Sequence, residues 1–402
     1  MAVSEEKKLP MKILFFHIMK ENFSGAQKNI FRLLLNLDRD IVEPVLIGQT
    51  ESPLTFLCKQ NQIPVDIVDF PPGLKVYDGG LLRFRIRTLL NFAKSLYFYN
   101  KTLIKNFDFH KPDAVWADNI RTFFTVFVAC KLSGVKIIWN IWSEPKGIVS
   151  WFLHRLGLFL ADKINVEYSK QPPKLFGYLV NVRKLQKKIV PLYTGVSDFE
   201  SIQGIDIRKE LSIPEDALLL IMASNIIAGK GQLDLVKSSE NILKGNPNIY
   251  LLICGSPVES NHASGMYYEE IQTYIEENEL EDSIFLLGWR SDIRDLYQQS
   301  NVYISTSYSE SFPDSVREAM LASLPVIVTD VGGTNELVEE SMNGYLFKPG
   351  DIETLTNYMM NLIKDKNLRI SMGKRSKSII EDKFSTKAYA KDFEEMAANL
   401  IL

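Results

Sequence analysis

Residues Leu218–Gln232 read L-L-L-I-M-A-S-N-I-I-A-G-K-G-Q. The opening apolar run, Leu218–Ala223, is short and uninterrupted. That is the pattern of a strand covered on both faces, as in a parallel sheet. The run leads into a lysine set between two glycines, Gly229 and Gly231. Glycine lets a backbone approach an anion closely, and the Lys230 ammonium supplies charge. A solvated lysine at a helix start is the competing reading. The segment lacks GxxxxGK[ST], so it is not a P-loop.

The same strand-then-helix rhythm extends in both directions. Toward the C-terminus, Ile249–Ile253, Ile284–Leu287, Val302–Ile304, Val326–Val328 and Tyr345–Phe347 are predicted strands, and the last 50 or so residues are helical. Toward the N-terminus the strands are Lys12–His17, Val42–Ile47, Val65–Val68, Ala114–Trp116, Val135–Trp139, Lys163–Val166 and Ile189–Leu192. Helical patterns near 81–107, 119–132 and 148–161 separate several of them, and Ile30, Leu33 and Leu34 mark a helix after the first. Such alternation predicts parallel sheets with crossover helices. Tyr193–Pro214 contains Gly195, Gly204 and Pro214 and has no strong periodicity. The expected division is therefore a domain over 1–195, a linker over 196–213, a second domain over 214–383, and a terminal helix over 384–402. Two doubly wound α/β domains bind ligands beyond the carboxyl ends of their strands.

Composition agrees. The chain has 402 residues, 46% apolar and 24% charged, which suits two soluble-type domains and excludes wholesale disorder, collagen and coiled coil. It has no uninterrupted apolar run of about 18 residues. Met11–Met19 is apolar but ends at Lys20-Glu21, and reads as a strand rather than a secretory signal. Cys58, Cys130 and Cys254 form no CxxC pair, which fits a reducing cytoplasm. Residues 1–200 hold 28 basic and 18 acidic side chains, whereas 201–402 hold 18 and 31. A basic first half would be drawn to an anionic surface, although compositional scatter also produces such imbalance.

The most informative motif is Ser309–Pro325, S-E-S-F-P-D-S-V-R-E-A-M-L-A-S-L-P. Glu310 falls in the loop after a strand, and Glu318 on a helix starting near Asp314. Pro313 suits the first turn, and Ser311, Asp314 or Ser315 is expected to cap it. Free N–H groups of that turn favour a phosphate. Glu318 is placed to accept hydrogen bonds from ribose hydroxyls and Glu310 from a sugar. An ordinary surface carboxylate pair is the alternative. Ser24-Gly25-Ala26-Gln27 opens the first helix, where a Rossmann-type domain offers amides to a phosphate, but it lacks the full GxGxxG.

These segments occur in a familiar order with F-L-L-G-W-R (Phe285–Arg290), V-G-G-T-N-E-L-V (Val331–Val338) and N-G-Y-L-F (Asn343–Phe347). The sequence resembles the retaining family 4 glycosyltransferases of the GT-B fold, most specifically over residues 215–365. The resemblance implies two Rossmann-like domains facing across a cleft, with the C-terminal helix returning to the first. It implies that Glu318 binds the nucleotide ribose, that Glu310 contacts the donor sugar, and that Lys230 neutralises the diphosphate. Phe312, Pro313, Asp314 and Ser315 would lie against the diphosphate and sugar, partly through backbone N–H groups. Gly25 would approach the phosphates, and Gly255 and Arg290 would lie near the base. It further implies retention of anomeric configuration and no divalent metal or other cofactor.

The sequence departs from that family at three points. Asn225 stands where an arginine is common, so a positive charge is lost unless Arg290, Arg317 or a first-domain residue replaces it. A strand-end histidine is replaced by Asn140 or Trp142, either on the sugar or acceptor side. The family's G-x-P is Ser323-Leu324-Pro325 here.

Other chemistry has little support. His17, His110, His154 and His262 show no metal-ligand spacing and read as core or surface residues. Asp38-Arg39-Asp40 reads as a helix-end turn. No nucleic-acid reading motif occurs. Residues 81–107 combine an apolar stripe (Leu82, Ile86, Leu89, Ala93, Leu96, Leu103, Phe107) with Arg83, Arg85, Arg87, Lys94, Lys101 and Lys105. Such a segment either lies on an anionic membrane or packs as a crossover helix. Gly147–Leu160 and the basic run Arg183, Lys184, Lys187, Lys188 are further membrane-contact candidates. The expected activity is sugar transfer from a nucleotide-diphosphate donor to a glycan or lipid-linked acceptor, in the cytoplasm, with the inner face of its membrane as a candidate location. A nucleotide-sugar epimerase or hydrolase, or a non-catalytic partner subunit, remains open.

Overall fold

The computed structural model describes residues 9–17, 25–74, 86–142, 144–145, 147–196 and 204–402. It divides into two compact units, Met1–Gly195 with Thr386–Leu402, and Val196–Ser385. The first holds seven parallel strands in the order β3-β2-β1-β4-β5-β6-β7. These are β1 Met11–Phe16, β2 Val42–Gly48, β3 Val65–Ile67, β4 Ala114–Ala117, β5 Lys136–Ile141, β6 Lys163–Val166 and β7 Ile189–Pro191. The second holds six in the order β10-β9-β8-β11-β12-β13. They are β8 Leu218–Ala223, β9 Ile249–Cys254, β10 Ile284–Gly288, β11 Val302–Ser305, β12 Val326–Thr329 and β13 Gly344–Phe347. Both orders are doubly wound, and each reverses direction at a switch point, between β1 and β4 and between β8 and β11.

Burial on both faces explains the continuous apolar runs. Along β1, Leu14 and Phe16 enter one core cluster and Ile13 and Phe15 the other, the period of two that a pleated strand imposes. The second cluster is closed by the C-terminal helix Thr386–Ile401, whose Phe393 ring lies 5.4 Å from that of Phe15. Tyr389, Ala390, Met396 and Ala397 are buried with it.

Two sequence expectations need correction. Residues 204–213 are not a free linker but part of the second unit. Ile207 N donates to Gln299 Oε1 at 3.0 Å, Gln299 Nε2 donates to Ile205 O at 2.7 Å, and Asp206 caps a short helix, Ile207–Glu210. Partners some 90 residues away leave no trace in local periodicity. The second correction concerns the helix Asp314–Leu321, which has no side-chain cap. Asp314 is held by Arg317, and Ser315 Oγ accepts from the Tyr303 hydroxyl at 2.8 Å.

The helix Ile86–His110 settles part of the 81–107 question, residues 81–85 lying outside the described ones. Leu103 and Phe107 are buried in the core with Leu96 packed against it. That portion is a crossover helix, although Tyr97 and Phe98 stay exposed.

Candidate functional site

The switch point of the second sheet brings the two strongest motif residues together. Beyond β8, Ala228–Lys230 form one 3-10 turn, and Gly231 ends it in the left-handed region at φ +70°. A Cβ on Gly231 would sit 2.4 Å from the Thr306 carbonyl oxygen. Thr306 Oγ1 donates to the carbonyls of Lys230 (3.0 Å) and Gly231 (2.8 Å). The lysine turn is thus clamped to the end of β11. Gly229 differs: nothing lies within 4 Å of its would-be Cβ, so no packing in the protein requires a glycine there.

Beyond β11, Glu310 reaches Lys230. Lys230 Nζ lies 2.6 Å from Glu310 Oε1, and Ser307 Oγ donates to the same oxygen at 2.7 Å. Both side chains are mostly but not fully covered, 23% and 13% exposed. The Glu310 loop is braced from β12. Thr329 Oγ1 donates to Ser307 O at 2.6 Å, and Gly333 N donates to Ser311 O at 2.7 Å. Gly332, at φ +58°, approaches so closely that a Cβ would fall 2.0 Å from Glu310 O. Sequence reading quoted this glycine pair but assigned it no role.

The helix Asp314–Leu321 follows directly. With no side-chain cap, its first-turn amides and its dipole suit an anion. Arg317 is fully buried beneath that turn, where it donates to Phe312 O at 3.1 Å and pairs with the Asp314 carboxylate. Phe312 is buried, edge-on to Phe384 and under the Arg317 guanidinium. Its ring therefore belongs to the core, and its carbonyl is taken by Arg317. Glu318 sits one turn into the helix at intermediate exposure. Ser323, where the family has glycine, adopts φ +65°, the left-handed conformation glycine favours.

Arg290 and Arg317, the two arginines near the place of the missing one, are both already ion-paired. Arg290 meets both oxygens of Glu210 at 2.6 and 2.9 Å and both of Asp292 at 2.8 and 2.7 Å. Those bonds raise its pKa further, so it is an anchor for the 207–210 helix rather than a cation open to phosphate. Asn225 is exposed, and its carbonyl accepts from Gln232 Nε2 at 2.9 Å. Gly255 has φ +140°, and a Cβ there would lie 1.8 Å from Ser224 O. Close backbone passage at the ends of β8 and β9 accounts for that glycine.

In the first unit, Gly25 is exposed and opens the helix Gly25–Asn36, Ser24 lying outside the described residues. The switch point between β1 and β4 holds a buried group that sequence reading missed. His17 Nδ1 meets the Asp118 carboxylate, which also accepts from Thr122 Oγ1 at 2.6 Å and Asn119 Nδ2 at 2.8 Å. No spacing signal joins residues about a hundred apart; only the pairing of β1 with β4 does. Asn140 and Trp142 are separated by the structure. Asn140 is buried in β5, its Nδ2 without a partner. Trp142 lines a cavity of about 230 Å³ with Asn119, Ile120, Ile141, Glu144, Ser150 and His154.

Residues lining that cavity carry polar groups. The buried Trp142 Nε1–H has no acceptor. His154 is buried, which lowers its pKa, and its Nδ1–H donates to Ser150 O at 2.6 Å. The neutral ring then offers Nε2 as an acceptor. Burial would raise the Glu144 pKa, but bonds from Lys174 and the Tyr168 hydroxyl hold it below the usual range. Asp38 and Asp40 form a tight turn in which Asp40 N donates to Asp38 Oδ1. Among the described residues, no group of three His, Cys, Asp or Glu side chains is arranged to hold a metal.

Residues 205–379 match the family "Glycosyl transferases group 1". Solved structures share the fold. Anabaena Alr3699/HepE in complex with UDP superposes over 97% of this chain and 100% of its own, with TM-score 0.74 and 19% identity. A glycosyltransferase from Rickettsia africae does so over 97% and 98%, with TM-score 0.77 and 16% identity. The chain therefore has the two-domain α/β fold of the GT-B glycosyltransferases. The match to the group 1 family falls within its second unit, where the motif resemblance lies. Among curated relatives, N-acetyl-alpha-D-glucosaminyl L-malate synthase of Bacillus anthracis is 27% identical over 47% of each chain. The O-antigen biosynthesis glycosyltransferase WclY of Escherichia coli is 22% identical over 99% of this chain and 97% of its own. Apart from such full-length alignments, the chain spans about half the length of the first curated relatives it matches.

Proposed function

We propose that the protein transfers a sugar from a nucleotide-diphosphate donor to a hydroxyl acceptor, with retention of configuration, in polysaccharide, glycolipid or lipid-linked glycan synthesis. The observation that carries this reading is the Lys230–Glu310 pair at the β8/β11 switch point, beside an uncapped helix N-terminus. In this reading the diphosphate draws the Lys230 ammonium partly away from Glu310. The ammonium and the first-turn amides then stabilise charge as it develops on the leaving group. Glu310, freed on one side, accepts from a donor-sugar hydroxyl, and Glu318 from the ribose. A diphosphate oxygen takes the acceptor's proton as the new bond forms on the face the leaving group vacates. The sugar–phosphate bond breaks and the nucleoside diphosphate departs, with no divalent metal needed.

A thermal-shift screen of nucleotide sugars tests this directly. One donor is expected to raise the melting temperature, and Glu318→Ala to weaken its binding by about tenfold or more, as loss of a charged hydrogen bond predicts. A screen that moves neither protein would sink the reading.

The acceptor is assigned to the Trp142 cavity. The neutral His154 ring offers a hydroxyl an acceptor, and the unpartnered Trp142 N–H, covered in this structure, gives a donor once the indole turns toward the cavity. Trp142→Phe keeps an aromatic ring, though a smaller one, and removes the N–H. Its expected result is a KM for acceptor raised about fivefold to tenfold with KM for donor unchanged. Equal acceptor KM in the two proteins would remove Trp142 from the site.

A further inference from the structure

The helix Gly147–Leu160 walls the cavity with Ser150 and His154 and turns a different face outward. Only His154, Gly157 and Leu158 of its fourteen residues are buried. Gly157 permits close seating, since a Cβ there would fall 2.3 Å from the Trp139 ring. Ile148, Phe152, Leu156 and Phe159 recur at i, i+4, i+8 and i+11, one stripe of a helix. They are all exposed, Ile148 by 83% and Phe152 by 61%, and exposed Val149 and Trp151 widen the stripe. A contiguous apolar face of this size is unusual on a free surface.

The charge beside it is mainly basic, Glu144 and Asp162 at its two ends being paired with Lys174 and Lys131. The helix has no acidic residue, and neither does the segment 168–191, which holds Lys170, Lys174, Arg183, Lys184, Lys187 and Lys188. The two stretches are joined physically. Lys188 Nζ donates to the carbonyls of Phe159 (2.9 Å) and Ala161 (2.7 Å), capping the helix C-terminus. Arg183, Lys184 and Lys187 are exposed nearby in sequence, with exposed Tyr178 and Val182 among them. A protein partner would need matching carboxylates and an apolar groove together. An anionic bilayer supplies both attractions at once, acyl chains for the aromatics and headgroups for the cations.

We propose that the outer face of the Gly147–Leu160 helix lies in the interface of an anionic membrane. Its inner face then borders a hydroxyl-binding cavity, so the acceptor is one carried on a lipid. This rests on the transferase reading and names its acceptor class. The test is co-sedimentation with phosphatidylglycerol–phosphatidylcholine vesicles. Wild type is expected to bind them, and to lose most binding on pure phosphatidylcholine. Phe152→Glu with Phe159→Glu is expected to lower the bound fraction at least about tenfold through lost apolar insertion. Lys184→Glu with Lys187→Glu is expected to remove the salt-sensitive part. A ligand-free melting curve and circular dichroism spectrum of each variant, both substitutions lying in the first unit, serve as the fold check. A wild type that shifts with nucleotide but ignores anionic vesicles overturns the membrane assignment and leaves the donor reading standing. So does vesicle binding that both variants retain, or a wild-type dimer that the phenylalanine variant splits while lipid binding is absent.

Discussion

Lys230→Met is expected to lower kcat by about 10²–10³-fold, the loss typical when a preorganised electrostatic donor is removed from developing charge. The side chain keeps its length and its apolar contacts, so the change isolates the ammonium. Glu310 loses its ion pair but keeps the 2.7 Å bond from Ser307, and both side chains already have access to water. Folding should therefore change little, and the loss should appear in turnover. Lys230→Arg restores charge with a different reach and should recover only part of the rate. Steady-state kinetics on the donor found by thermal shift, with a melting curve for each variant, separates these outcomes. A variant within about threefold of wild type would mean that the ammonium does not meet the leaving group.

The second large effect should come from a residue with no chemistry. Gly332→Ala places a methyl group 2.0 Å from the Glu310 carbonyl oxygen and 2.8 Å from that of Ser311, at φ +58°. Something must move, and what lies opposite is the backbone of the Glu310 loop. A displacement near 1 Å at a positioned group can cost about 10²-fold in rate. The expected result is a fall of that order in kcat/KM, with a stability loss of about 1–3 kcal/mol from strained backbone. Gly229→Ala is the internal comparison. It lies beside Lys230 but has open space and no left-handed φ, so the protein alone should tolerate it. Should Gly229→Ala weaken donor binding while leaving the melting temperature unchanged, the open space belongs to the ligand. If Gly332→Ala keeps full activity, the brace from β12 does not position Glu310.

Much of this could be read along the chain. Each predicted strand lies within a residue or two of an observed one, because a strand buried on both faces needs an unbroken apolar run that shows locally. The loop of Glu310, the helix start before Glu318 and the glycines flanking Lys230 were equally legible, since all are short-range features. What failed were statements about partners. Arg290 looked available until Glu210, 80 positions away, closed on it. Ser311, Asp314 and Ser315 looked like caps, but Arg317 and Tyr303 engage two of them. His17 looked like an ordinary core histidine until β4 brought Asp118 beside it.

The Gly147–Leu160 segment shows the same boundary from the other side. As sequence, residues 81–107 and 147–160 were both apolar segments with basic residues nearby, and the first seemed the stronger membrane candidate. Packing divides them: Leu103 and Phe107 of the first are covered while its Leu90, Tyr97 and Phe98 are exposed, and Ile148, Phe152 and Phe159 of the second are all exposed. From the sequence alone followed the two α/β domains and the strand boundaries, because backbone periodicity and turn chemistry act over a few residues. Tertiary structure alone decided which charges are already paired, which glycines make room for a neighbouring chain segment, and which apolar face is left to meet something else. Those depend on distances between residues far apart in the chain, which only the completed sheets define.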